Sequence, residues 1–117
     1  MSLCKHRNRE GECTLWAPRL SDLIGQPATW NGRRVRTGGF LVFESEGDAL
    51  YVAREDRERY RPDRTVFLRV NDDSRIWRPH KERPNWRMGD VEGTFHAGDR
   101  GHMGLYSGAI VGVTRIW

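Results

Sequence analysis

Residues 31–43, NGRRVRTGGFLVF, decide the fold of this chain. The Asn-Gly pair that opens the stretch is a strong turn signal, because both residues tolerate the positive φ angles of tight turns. The β-branched and aromatic residues that follow predict a long strand over residues 33–43. Gly38-Gly39 interrupts this strand, and paired glycines in a strand are typical of a bulge or a sharp bend. The stretch therefore predicts a sheet that curls on itself.

Four further runs have the pattern of strands. Residues 48–53 and 65–70 are short and rich in strand-forming residues, and alternation returns over residues 91–96 and 105–116. The densely charged residues 54–64 between two of these runs predict a polar connector with a helical turn. About five strands and no long helix place the chain in the all-β class.

We predict a small five-stranded OB-like barrel over residues 20–117, with a short helical turn that ends at Gly25. A long irregular insertion separates the third and fourth strands, because Pro79 and Pro84 exclude a continuous helix or central strand across residues 71–89. Closing the sheet removes the exposed edges that make open sheets sticky. A small open sheet and an SH3-like barrel are the alternatives.

The bulk composition indicates one soluble domain. The chain has 117 residues, of which 37% are hydrophobic and 31% are charged, which excludes a disordered chain and a membrane protein. No apolar run approaches the roughly 18–20 residues that span a bilayer. Its net charge of +4 comes almost entirely from arginine, which suits bidentate recognition of phosphate or carboxylate. The alternative explanation is a GC-rich genome, whose codons favour arginine everywhere.

Residues 1–19 predict an irregular N-terminal arm whose end is pinned to the core by Trp16 and Leu20. Cys4, His6 and Cys13 could supply three ligands of a zinc site, but their spacing matches no standard zinc finger. A disulfide would require an oxidising compartment. We favour two reduced thiols in a cytoplasmic protein and predict no metal site.

Three stretches are familiar when taken together: residues 35–41 (VRTGGFL), residues 46–51 (EGDALY), and a closing run over residues 91–116 that contains GHMGLYSG. Together they resemble a group of small, mostly uncharacterised bacterial proteins with an OB-fold, tRNA-anticodon-binding-like barrel. The resemblance covers roughly residues 20–117. It implies a fold more than a function, because OB barrels bind nucleic acids, sugars and proteins.

The strongest candidate for a binding segment is residues 75–87, RIWRPHKERPNWR, with five cationic residues against one acid. Cations attract phosphates and flat side chains stack on bases, so this mixture suits single-stranded nucleic acid. The alternative is that the two tryptophans anchor the insertion to the barrel while the arginines face water. The candidate ligand-binding residues here are Arg75, Trp77, Arg78, Lys81, Arg83, Trp86 and Arg87.

A second candidate is an aromatic platform around Phe67, which shares a predicted outward face with Arg69. Aromatic residues on the second and third strands of an OB barrel can stack on bases. Tyr51 and Arg36 are expected to join this platform. The alternative is that residues 71–89 fold over the face and bury Phe67.

Two classes of function follow from these candidates. The first is a non-enzymatic module that binds single-stranded DNA or RNA; the acidic loop at residues 44–48 counts against a polyanion there. The second is a protein-interaction module, such as a toxin-neutralising immunity protein or an assembly adaptor, because Trp, Tyr and Arg dominate interface hot spots. Scattered histidines and the lack of a nucleophile motif argue against an enzyme, and no cofactor or membrane partner is expected.

Overall fold

The computed structural model describes residues 3–44, 47–70 and 85–117. The strands in these residues are β1 (Cys4–Arg7), β2 (Cys13–Trp16), β3 (Arg34–Glu44), β4 (Gly47–Tyr51), β5 (Thr65–Leu68), β6 (Asn85–His96) and β7 (Ala109–Ile116). The helices are α1 (Leu20–Gly25), α2 (Pro27–Trp30) and α3 (Arg54–Glu58), with 3₁₀ turns at Pro62–Arg64 and His102–Gly104. None of the helices in these ranges is both long and apolar enough to cross a membrane.

Strands β3 to β7 close into a five-stranded barrel, which confirms the predicted OB-like fold. Going round the barrel, the order is β3-β4-β5-β7-β6, and β6 pairs back onto β3. All of these pairs are antiparallel except β5 with β7. The long β3 makes closure possible, because residues 34–43 pair with β6 while residues 40–44 also pair with β4.

Strand β3 runs through the paired glycines without a shift in its pairing with β6, so the predicted interruption of the strand is wrong. The two glycines lie just before the residues that also pair with β4. A Cβ built on Gly39 would come within 2.5 Å of the carbonyl oxygen of Tyr51, the last residue of β4. Only a residue without a side chain lets the two backbones approach this closely.

The barrel interior holds the main hydrophobic core. Cross-strand neighbours on its inner face include Leu41, Leu50 and Val66, all fully buried. Helix α1 closes one end of the barrel with Leu20 and Leu23, which belong to the same core. Burying a leucine fully stabilises the fold by about 1.5–3 kcal/mol, so this short helix contributes substantially for its length.

A second apolar cluster covers the outer face of the same strands. Val42, Ala49, Phe67 and Ala109 form one row of directly opposed residues across β3, β4, β5 and β7. Directly opposed residues point to the same side of a sheet, and this row alternates with the inner one. The cluster consists of Phe40, Val42, Ala49, Tyr51, Phe67, Tyr106 and Ala109.

The prediction of an irregular N-terminal arm is wrong. Residues 4–16 form an antiparallel hairpin of β1 and β2, and a disulfide joins Cys4 to Cys13. Neither the favoured reduced thiols nor a zinc site is compatible with this bond. Trp16 does pin the end of the arm, as predicted, because it pairs with Val35 on β3 and packs edge-on against Trp30 at 5.9 Å.

The prediction that residues 85–89 belong to an irregular insertion is also wrong. Strand β6 already begins at Asn85 and runs for 12 residues, so residues 85–89 are part of the barrel wall. Trp86 and Arg87 lie opposite Val42 and Leu41 on β3. Residues 71–84 lie outside the described part of the chain.

Candidate interaction surface

Three large apolar side chains are exposed together on the outer face of β6: Trp86 (37% exposed), Met88 (66%) and Trp117 (40%). Trp86 and Met88 are two residues apart on one strand and therefore point to the same side. Trp117 joins them because its backbone exchanges hydrogen bonds of 2.9 and 3.3 Å with Asp90, the next outward residue of β6. We call these three residues the Trp–Met patch.

Arginine side chains stack on both tryptophans of the patch. The Arg36 guanidinium carbon lies 3.7 Å from the centroid of the Trp117 ring, and that of Arg57 lies 5.0 Å from the Trp86 ring. Trp86 also packs edge-on against Phe40 at 6.3 Å. These contacts hold the rings in place, so little side-chain entropy remains to be lost when a partner covers them.

A shallow groove lies beside Met88, which is one of its lining residues. Its lining includes Trp117 and the backbone of Gly38, Gly39 and Gly89. The glycines contribute only backbone atoms to the lining. A larger residue does not fit at position 89, because a Cβ on Gly89 would come within 2.4 Å of both Leu41 and the Trp117 carbonyl oxygen. The patch therefore combines protruding rings with an adjacent depression into which a partner's side chain can fit.

A second groove continues from the first past Gly38 and Asp90, which line both. Its lining also contains Lys5 from the hairpin, Arg19 at the start of α1, and Arg36 from β3. We call it the basic groove, since it has three cations and one carboxylate.

The predicted binding arginines in the described residues already have partners. Arg36 forms a 3.2 Å ion pair with Asp90, and Arg87 donates a 2.7 Å hydrogen bond to the carbonyl oxygen of Trp117. Arg69 forms a bidentate pair with Asp99, with one contact of 2.8 Å. The hydrogen bond from Arg69 holds the pKa of Asp99 below its usual value and keeps the carboxylate ionised beside it.

The predicted aromatic platform points outward but is covered. Phe67 is 8% exposed and Tyr51 is 1% exposed, so neither ring can stack on a base in this structure. Tyr106 packs on Phe67 at 5.2 Å, and the backbones of Gly47 and Gly101 press against the same ring. The exposed stacking face predicted at these two positions is therefore wrong, because the protein's own loops fill it.

The remaining predicted binding residues fall into two groups. Trp86 and Arg87 are on β6, and Trp86 belongs to the patch. Arg75, Trp77, Arg78, Lys81 and Arg83 lie outside the described residues.

Sequence reasoning missed Met88, Trp117 and two of the three cations of the basic groove, Lys5 and Arg19. The alternation of Trp86 and Met88 was the available signal, and extending the strand to residue 85 would have revealed it. No local signal marks Trp117 or Lys5, because their neighbours come from distant parts of the chain. Across the described ranges, no group of three or more His, Cys, Asp and Glu side chains could hold a metal ion.

No protein-family model matches the chain, and comparison with curated proteins and with solved structures also finds no match. The resemblance to OB-fold, anticodon-binding-like bacterial proteins therefore stays a prediction, and the functional argument depends on the surface itself.

Proposed function

We propose that this protein is a non-enzymatic interaction module that binds a protein partner through the Trp–Met patch. The observation that supports this most is the exposure of Trp86, Met88 and Trp117 on one face. Tryptophan, methionine and arginine are the residue types enriched at protein interfaces, and tryptophan and arginine supply most hot spots. Here all three types lie on one face: arginines stack on both tryptophans, and Met88 lines a groove together with Trp117.

The charge pattern favours a protein partner over a nucleic acid. Among the described residues, Arg34, Arg36 and Arg69 each pair with a carboxylate of the protein. These internal pairs lower the net positive charge that a phosphate backbone would meet, whereas a protein surface of mixed charge can match them. The covered platform around Phe67 removes one of the two features that had favoured nucleic acid; the other, the basic segment over residues 75–87, lies mostly outside the described residues.

The Cys4–Cys13 disulfide indicates the kind of compartment in which the protein would meet its partner. Disulfides persist in oxidising compartments and are rare in the cytosol. The Cys4–Cys13 bond thus supports an oxidising compartment instead of the predicted cytoplasm, and nucleic acids are uncommon ligands there.

Site-specific photo-crosslinking tests the proposal. The photoreactive residue p-benzoylphenylalanine would replace Met88, and in a matched control it would replace Tyr60, which is 57% exposed on the connector after α3. We expect a discrete protein adduct from Met88 in the native host and none at the same mass from Tyr60. Adding Trp86→Ser to the Met88 variant should abolish the adduct.

Two outcomes would overturn the proposal. One is identical crosslinking from both positions, which would mean that the patch confers no specificity. The other is tighter binding of an oligonucleotide such as (dT)12 by the wild type than by Trp86→Ser, which would assign the exposed ring to base stacking.

A further inference from the structure

The basic groove lies between the disulfide hairpin and the barrel, next to the Trp–Met patch. Lys5 and Arg19 are exposed on its walls, and Arg36 is half-buried between the groove and Trp117. Only Asp90 contributes a negative charge among its lining residues. The groove therefore has a surplus of positive charge. Elsewhere in the described residues, five arginines each form an ion pair with a carboxylate: Arg34, Arg54, Arg61, Arg64 and Arg69.

Arg36 is positioned so that an anion can approach it. Asp90 binds one edge of its guanidinium at 3.2 Å, and the Trp117 ring covers one face, with its centroid 3.7 Å from the guanidinium carbon. A guanidinium has five N–H donors in a planar fork, and Asp90 accepts hydrogen bonds from only two of its nitrogens, Nε and one Nη. The remaining donors can bind a second carboxylate.

A buried hydroxyl also belongs to the groove. Thr37 lines it and is 3% exposed, and its Oγ1 has no hydrogen-bond partner in the part of the chain that the structure describes. Buried polar groups in native proteins are nearly always satisfied. Within the described residues, Thr37 therefore leaves one buried polar group unsatisfied in the wall of the groove.

The geometry points to the basic groove as a subsite for an acidic peptide segment of the partner, a conclusion that rests on the proposed function. In this arrangement the patch binds the apolar part of the partner, and Lys5, Arg19 and Arg36 bind a neighbouring run of Asp or Glu. Peptide carboxylates fit better than a nucleic acid strand, because Arg36 already occupies one face of the Trp117 ring on which a base would stack.

The test uses purified, oxidised protein and the capped peptide hexaglutamate, with capped hexaglutamine as the neutral control. We expect the acidic peptide to shift the backbone amide NMR signals of Ala17, Arg19 and residues 36–38, and the neutral one to leave them unchanged. Lys5→Glu or Arg19→Glu should weaken binding roughly three- to tenfold, as expected for a reversed charge at an exposed site. Arg59→Glu, an exposed arginine at the end of α3, is the matched control and should have no effect.

Asp90→Asn provides a gain-of-function test. Removing the only carboxylate among the lining residues should strengthen hexaglutamate binding severalfold, and added salt should reduce the gain. Unchanged affinity in Lys5→Glu, Arg19→Glu and Asp90→Asn would overturn the subsite, as would tighter groove binding by (dT)6 than by hexaglutamate. Hexaglutamate binding does not require the Trp–Met patch, so its failure is distinguishable from failure of the crosslinking test.

Discussion

Gly47→Ala tests the most specific packing relation in the structure, the closure of the outer aromatic face over Phe67. A Cβ at Gly47 would come within 2.5 Å of two carbon atoms at the tip of the Phe67 ring. Gly47 also has a φ of +132°, a conformation that side chains rarely adopt. The substitution therefore carries two separate penalties, one from the backbone and one from overlap with the ring.

The magnitudes of the two penalties can be separated. We expect about 1–3 kcal/mol from the backbone conformation and about 1–3 kcal/mol from overpacking, hence roughly 2–6 kcal/mol in total. Gly112→Ala is the control, because Gly112 has a φ of +57° and open space around its Cβ position, so only the backbone penalty applies. A domain of this size has about 5–15 kcal/mol of stability in all, so the difference is measurable.

Urea unfolding followed by tryptophan fluorescence, with the disulfide intact, measures these free energies. The decisive comparison is a double-mutant cycle with Phe67→Leu, which removes the two ring atoms that the new methyl group would meet. Gly47→Ala should cost about 1–3 kcal/mol less in the Phe67→Leu background than in the wild type. Equal costs in both backgrounds would refute the inference that the loop at Gly47 closes the face against this ring.

Three further predictions concern stability. Asp99→Asn should make the free energy of unfolding fall less steeply as the pH is lowered. The folded-state pKa of Asp99 is lowered by its hydrogen bond with Arg69, so the pair stabilises the fold above the unfolded pKa of about 3.9. This stabilisation disappears as the pH falls through the folded-state pKa. The pair is partly exposed, so we expect at most about 1 kcal/mol, measured by urea unfolding between pH 3 and 7. Replacing Cys4 and Cys13 by serine should cost about 2–3 kcal/mol for this short loop, and added reductant should then leave the unfolding midpoint unchanged. Leu23→Ala should cost about 2–5 kcal/mol by thermal unfolding because Leu23 is fully buried at the end of the barrel, whereas the exposed Leu105→Ala should cost under about 0.5 kcal/mol.

The local pattern of the sequence was sufficient to predict the barrel strands. The Asn-Gly turn and the alternation over residues 65–68 depend on neighbours one or two positions away, and both were predicted correctly. The start of β6 was missed because residues 85–89 include Asn85 and Gly89, two residue types that are depleted in strands. Pairing with β3 along ten consecutive positions makes them a strand nonetheless.

The candidate surface depended on contacts between distant residues. Sequence alone predicted that Phe67 points outward, and it does, but Gly47 at the start of β4 and Gly101 and Tyr106 in the loop between β6 and β7 cover it. Likewise Arg36 was a candidate from sequence, whereas its contacts with Asp90 and Trp117 were not.

The sequence by itself determined the all-β class and the order of the barrel strands along the chain, because turn chemistry and side-chain alternation are local properties. Only the tertiary structure decided that the hairpin is closed by a disulfide, that the platform around Phe67 is filled, and that Trp86, Met88 and Trp117 form one exposed patch. The physical reason is that exposure depends on which distant segments pack together, and barrel closure brings β6 and the end of β7 against β3.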